Sequence, residues 1–432
     1  MKVGIGIFTS PEAGGAYQYT RAVIQAASVL MKDGVAGSEK NHEKFDFICY
    51  SLDEMWAPVC AQIGVPFKHL TETKVQKAIY HCGYLMGQIG SYYSNANNSK
   101  LYSAHPLWKA YDEDELDVMF ITTPSWYGKP EGKKLVMPIY DLMHRYLDFP
   151  EIGEGKTGEE RDRRYASICR GADAILADSK LGVMHIIECY GDVYDGLIRK
   201  TYSLPFIVPD YIPVVELESN DESDQTKSDE KKDRGKKAAN GKNVNLGPGR
   251  SVPEKYILYP AQFWKHKNHA RLLTAAGELK EQGMLVNLVF TGSAKNAAEE
   301  IENTIEKYGL ADQVTNLGYV TDEELVCLYQ NARAMMFPAF TGPTSIPPLE
   351  AMALGCPVAV ANNFAMPEQI DGAGLTFDPT SVTDIKDAMR RLWSDDNLCE
   401  KITERELIRS REWTVKEFAA ELGKILLEIN QH

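Results

Sequence analysis

From its second residue the chain alternates short apolar runs with stretches whose apolar residues recur every three or four positions. "KVGIGIF", Lys2 to Phe8, reads as a buried strand, "TSPEAGG" as a loop, and "AYQYTRAVIQAASVL" as a helix with Ala22, Val23, Ala26, Ala27 and Leu30 on one face. "KFDFICY", "DVMFITT", "KLVMPIYDL" and "DAILADS" continue the strand series, with helical stretches between several of them. From "KYILYPAQF" the alternation restarts: helix "HARLLTAAGELKEQ", strand "LVNLVFTG", helix "NAAEEIENTIEKYG", strand "VTNLGYV", helix "DEELVCLYQNA" and strand "AMMFPAF". "PVAVAN" is one more strand, and "TDIKDAMRRLWS" and "TVKEFAAELGKILLEIN" close the chain as helices. Strands alternating with helices predict an α/β protein with parallel sheets covered on both faces.

The pattern breaks near Pro213. Glu216 to Arg250 is almost free of aromatic and branched apolar residues, with eight acidic and eight basic residues. Such a tract cannot bury enough surface to offset the entropy of ordering, so it is expected to be a disordered insertion. A length of 432 residues with a break in the middle predicts two domains. Two α/β domains imply a cleft, and such folds bind ligands at the carboxyl ends of their parallel strands.

Composition narrows the class. A net charge of −14 argues against a general nucleic-acid binder, which needs a basic face. Eight scattered cysteines without a C-x-x-C pair read as reduced thiols rather than a disulfide frame or zinc site. No apolar run approaches the ~20 residues of a membrane span, so a cytoplasmic protein is expected.

Three segments that follow strands are candidates for chemistry. In "TGPTSIPPLEAMALG" a helix opens at Pro347 and Pro348 with Glu350 one turn in. Proline and an acidic residue suit any helix start, but a ligand site is the other reading. The prolines carry no N–H, so an anion would use the amides of Thr344, Ser345, Ile346 or Leu349, while Glu350 accepts from two sugar hydroxyls. "AQFWKHKNHARLL" supplies Gln262 and Lys267, a cation on the unfavourable end of a helix unless an anion binds there. "FTGSAKN", with Gly292, is the third. His266 and His269 are expected to be solvated.

"YPAQFWKHKNHARLL", "LGYVTDEELVCLYQNARAMMFPAFTGPTSIPPLEAMALGCPVAV" and "MPEQIDGAGLTFDP" resemble the donor domain of the family 4 retaining GT-B glycosyltransferases (glycosyl transferases group 1), within it a bacterial subgroup with a Gly-Pro-Thr loop. "PEAGGAYQYTRAVIQA" and "PIYDLMHRYLDFPE" resemble the acceptor domain of the same group. The resemblance implies two Rossmann-like domains facing across a cleft: an acceptor-side domain over 1–213 and a donor domain over 252–405. The charged insertion over 214–251 lies between them, and a C-terminal helix over 406–432 crosses back. It implies that Glu350 binds the nucleotide ribose and Lys267 the donor diphosphate, and that the Gly14-Gly15 turn lets phosphate or acceptor approach. Gln262, Gly292, Gly342, Thr344, Ser345 and Ile346 complete the donor site, with Tyr140 and Asp141 at the reacting sugar.

Three positions depart from the family pattern: Gly342 lacks its first carboxylate, Gln262 replaces an arginine, and Tyr140 replaces a histidine. His144, one turn on, is either a substitute or a helix-surface residue, and Asp141 would equally serve as a helix N-cap. The implied activity is retaining transfer from a nucleotide sugar to a glycan or lipid-linked acceptor, with no metal and no cofactor. Peripheral association with the inner membrane face is compatible with that. An inactive GT-B binding subunit and a nucleotide-sugar epimerase are the alternatives, and donor hydrolysis separates the first from an active enzyme.

Overall fold

The computed structural model describes residues 1–11, 14–35, 44–79, 103–125, 128–152, 156–192, 194, 196–213, 244–247, 249–342 and 344–431. The chain divides into two compact units, Met1–Pro209 with Trp413–His432, and Asp210–Glu412.

The first unit is built on a seven-stranded parallel sheet. Its strands are β1 (Lys2–Ile7), β2 (Asp46–Ser51), β3 (Phe67–His69), β4 (Val118–Ile121), β5 (Leu135–Pro138), β6 (Ala174–Ala177) and β7 (Thr201–Ser203), in the order β3-β2-β1-β4-β5-β6-β7. β1 shows why the sheet is covered on both faces. Val3, Ile5 and Ile7 pack into a core with the helices Gly15–Asp33 and Val415–Gln431. Gly4 and Gly6 face the other side, where a Cβ on Gly4 would lie 2.6 Å from Leu116 Cδ1. A side chain there would have to displace the ends of Leu116 and Met119.

The C-terminal helix packs in this unit. Phe418, Ala419, Leu422, Ile425, Leu426 and Ile429 form its buried stripe. Burial of each large member contributes about 1.5–3 kcal/mol. Gly423 allows close approach to the helix Gly15–Asp33, since a Cβ there would meet Val35 at 2.6 Å. Trp413 Nε1 donates to the Pro205 carbonyl at 2.9 Å.

The second unit has a six-stranded parallel sheet and an antiparallel pair. The pair is β8 (Val244–Gly247) and β9 (Arg250–Val252). The sheet strands are β10 (Ile257–Pro260), β11 (Leu288–Thr291), β12 (Val314–Asn316), β13 (Ala334–Phe337), β14 (Val358–Ala361) and β15 (Leu375–Phe377), in the order β12-β11-β10-β13-β14-β15. The two sheets are thus separate Rossmann-like sheets, and each reverses its strand order at one point, beside β1 and β4 or β10 and β13. These are the places where such sheets bind ligands.

The hairpin corrects one expectation. The charged tract was read as disordered through residue 251, yet its end pairs as β8 and β9. Arg250 explains the order: its guanidinium donates to Glu324 Oε1 at 2.6 Å and to the carbonyls of Leu317 and Tyr319. Residues 214–243, the bulk of that tract, lie outside the described residues. Among the described residues, no helix is long and apolar enough to cross a membrane.

Candidate functional site

The three segments singled out in the sequence meet on one rim of the second unit, at the carboxyl ends of β10, β11 and β13. Their main chains are bonded together. Phe340 N donates to the His266 carbonyl at 2.8 Å, and Phe263 N to the Ser293 carbonyl at 3.1 Å. Gly292 sits at φ +112° with its Cα against the first loop, where a Cβ would lie 2.7 Å from the Ala261 carbonyl oxygen. A side chain there would push the two loops apart.

Lys267 ends a short 3-10 turn, Lys265–Lys267, so it precedes the helix His269–Glu281 rather than opening it. Its Nζ lies 5.3 Å from the centroid of Phe337, and the Tyr259 hydroxyl holds its carbonyl at 2.6 Å. Asn268 makes the corner in the left-handed region, at φ +62°. Its buried amide donates to the carbonyls of Pro338 and Pro379, both at 2.9 Å. This residue was missed, although an asparagine just before a helix is a signal for such a corner. Gln262 is exposed, its Oε1 accepting from Trp264 Nε1.

The expectation of solvated histidines fails. His266 is half-buried. His269 is buried among Tyr259, Phe263 and Phe290, its ring centroid 4.5, 4.9 and 5.2 Å from theirs. Burial, with the Lys267 charge adding to it, pushes its pKa down to about 3. It is a neutral core residue under the Lys267 turn.

Glu350 lies in the helix Ile346–Ala353, which follows β13. It is 4 % exposed, and both its oxygens are occupied. Tyr329 donates to Oε2 at 2.8 Å, and the Tyr211 hydroxyl donates to Oε1. Burial pushes the carboxyl above its usual range, the two phenols oppose that rise, and Asp322 reinforces it. The sequence reading had this carboxylate waiting for sugar hydroxyls; the structure fills both oxygens with phenols. Chemically the site is a buried carboxylate that takes two hydroxyl donors.

Around it, Gly342 stands at φ +129°, with a notional Cβ 2.8 Å from Ser345 Oγ. That leaves no room for a carboxylate without rearrangement. Thr344 is buried, and Ser345 and Ile346 are half-buried. The Ser345 amide was expected to face an anion but donates to Gln369 Oε1 at 3.0 Å, while Gln369 Nε2 donates back to the Ser345 carbonyl. Gln369 was another residue the sequence reading missed.

In the first unit, Gly14 takes φ +56° just before the helix Gly15–Asp33, with open space where a Cβ would stand, and Gly15 is exposed. Tyr140 follows β5, its ring packed against Tyr19 and Phe206. Its hydroxyl donates to the Thr122 carbonyl beyond β4 instead of standing free. Burial raises its pKa well above the usual phenol value. Asp141 is not the expected N-cap, since Leu142 holds that position before the helix Met143–Tyr146; its Oδ1 accepts from Met143 N at 3.0 Å and its Oδ2 pairs with Arg161 Nη2 at 2.7 Å. His144 is no surface residue: its side chain is 1 % exposed, with Nε2 3.6 Å from Asp162 Oδ1 and its ring against Tyr165. Among the described residues, no group of three or more His, Cys, Asp or Glu could hold a metal ion.

The O-antigen chain mannosyltransferase B of Escherichia coli is 32% identical over 160 residues, 37% of this chain and 42% of that protein. Serotype-specific mannosyltransferase WbdA of Escherichia coli is 28% identical over 169 residues, 38% of this chain and 20% of that protein. The match thus spans well under half the length of these relatives. Among solved structures, Anabaena Alr3699/HepE in complex with UDP-glucose covers 99% of this chain and 100% of its own, with TM-score 0.63 and 15% identity. WaaG, a glycosyltransferase involved in lipopolysaccharide biosynthesis, covers 99% of both chains with TM-score 0.60 and 13% identity. At such identities the likeness is one of fold, and the fold is GT-B. The family model Glycosyl transferases group 1 matches residues 247–407, so the second unit of this chain carries a Glycosyl transferases group 1 domain.

Proposed function

We propose that the protein is a retaining, metal-independent glycosyltransferase that moves a sugar from a nucleoside diphosphate to a hydroxyl acceptor. The observation that carries this reading is Glu350, a buried carboxylate with two hydroxyl donors, on the rim that also holds Lys267. In the proposed reaction, Glu350 holds the ribose of the donor, while Lys267 and the Ile346 amide face the diphosphate. The bond from the anomeric carbon to phosphate oxygen breaks, and the acceptor oxygen bonds to the same face of that carbon. The acceptor's proton passes to the departing phosphate oxygen. Positioning and electrostatic stabilisation supply the rate, with no enzymic base required.

That scheme asks no proton transfer of Tyr140 or Asp141, which are engaged by Thr122 and Arg161. The O-antigen names of relatives support a glycan or lipid-linked acceptor, and peripheral attachment to a membrane would bring the protein to it. The test is nucleotide release from GDP-mannose and UDP-glucose, with and without EDTA. Slow release from at least one donor, insensitive to EDTA and lost in Glu350→Ala, is the expected result. Release only after Tyr140→His would make the native protein an inactive binding subunit instead.

A further inference from the structure

The two phenols on Glu350 differ in kind. Tyr329 lies within the helix Asp322–Asn331, is fully buried, and is held by a helix that begins with a complete capping box, Thr321 with Glu324. Arg250 braces that helix through Glu324. Tyr211 is half-buried and stands in the turn 210–212, which belongs to neither helix nor strand. Each phenol is far from its usual ionisation, raised first by burial, so both remain hydrogen-bond donors.

From this asymmetry we infer that Glu350 has one permanent partner, Tyr329, and one exchangeable partner, Tyr211, whose place on Oε1 a ribose hydroxyl of the donor takes. The inference rests on the reading of Glu350 as the ribose-binding carboxylate. A buried carboxylate left without donors is costly, and a carboxylate oxygen accepts equally well from a phenol or a sugar hydroxyl. Tyr211 therefore satisfies Glu350 while no donor is bound, and the exchange keeps the number of hydrogen bonds constant. Tyr329 is a positioning residue: it holds the other oxygen, so the carboxylate presents Oε1 to the incoming hydroxyl. Donor binding then releases the Tyr211 turn.

The two tyrosines should respond with opposite signs. Calorimetric titration of the full chain with UDP, GDP and ADP is the measurement, with the 2′,3′-dideoxy forms as controls. Tyr211→Phe removes the competitor and should tighten the ribonucleotide by about tenfold, the scale of one hydrogen bond to a charged group. Tyr329→Phe should weaken it by a similar factor. Neither change should appear with the dideoxy nucleotide, a selectivity that a merely structural effect would not produce. If Tyr211→Phe leaves affinity unchanged or weakens it while Glu350→Ala abolishes binding, the exchange is refuted and the ribose reading stands. If Glu350→Ala binds as well as the native chain, or no nucleotide binds any of these proteins, both readings fall.

Discussion

At the scale of single residues, Lys267 shows how a cation is kept at the wrong end of a helix. Its turn is pinned from below by the Tyr259 hydroxyl and from the side by the His266–Phe340 bond. Beneath it lies His269, which its charge helps to keep neutral. The frame fixes the Lys267 main chain on the rim, where the proposed function sets the donor diphosphate. In the proposed reaction, negative charge on the departing diphosphate grows toward the transition state, so Lys267 should act more on turnover than on binding. Lys267→Ala is expected to lower kcat about 100-fold, in the range for loss of one preorganised donor. KM for the donor should change little, and steady-state kinetics separates the two. A variant with unchanged kcat and a raised KM would make Lys267 a uniform binding residue. Tyr140 is a different case. Its proton is committed to the Thr122 carbonyl, so it ties the loops after β4 and β5 together.

At the scale of elements, the left-handed corner at Asn268 couples three segments: its own turn, the loop after β13 through Pro338, and the end of β15 through Pro379. Asn268→Ala removes both amide bonds and leaves a side chain at φ +62° that alanine tolerates poorly. The expected loss is about 2–4 kcal/mol, combining two buried hydrogen bonds with backbone strain. Asn268→Gly keeps the corner and should cost less, and chemical denaturation of the two variants checks the difference. The strands feeding this rim were legible because each is a four-residue run buried on both faces, as in "ILYP" and "LVFT". β3, β7 and β15 were not: a three-residue strand offers neither alternation nor a long apolar run by itself, and β12, of the same length, was legible only inside the longer stretch "VTNLGYV". The helix Asp396–Arg409 was also missed: it is mostly polar, with Cys399, Ile402 and Glu406 as its buried residues. Glu350 was legible from its place behind two prolines. Its partners were not, since Tyr329 reads as one more core position and Tyr211 lies 139 residues away in the chain. Contacts made only by folding leave no local pattern.

At the scale of the whole molecule, the two units bury titratable groups of opposite consequence. The first unit holds His105, pushed down to about 4 by burial, and His185, also lowered by burial. A histidine kept neutral in the fold but free to protonate when unfolded costs stability as pH falls below its ordinary value near 6.5. The loss continues until the folded pKa is reached. The second unit holds His269, lowered to about 3, but also Glu406, fully buried and raised well above the carboxylate range by burial. For Glu406 the sign is reversed. The unfolded carboxyl ionises near 4.5 and the folded one only at a higher pH, so stability falls as pH rises above 4.5 and is regained on acidification. Between pH 7 and pH 5, His269 should cost the second unit about 2 kcal/mol, and Glu406 acts in the opposite direction. In the first unit His105 and His185 lower stability on acidification, while in the second the raised carboxyls of Glu406 and Glu350 oppose His269. Hydrogen exchange of core amides in β1 and β10 at the two pH values, corrected for intrinsic rates, reads each unit separately. Glu406→Gln keeps an acceptor for the Val358 amide and removes the opposing ionisation. In that variant β10 should become more acid-sensitive than in the native chain. An unchanged response of β10 to acid would refute the assignment of Glu406 as a buried carboxyl raised by burial.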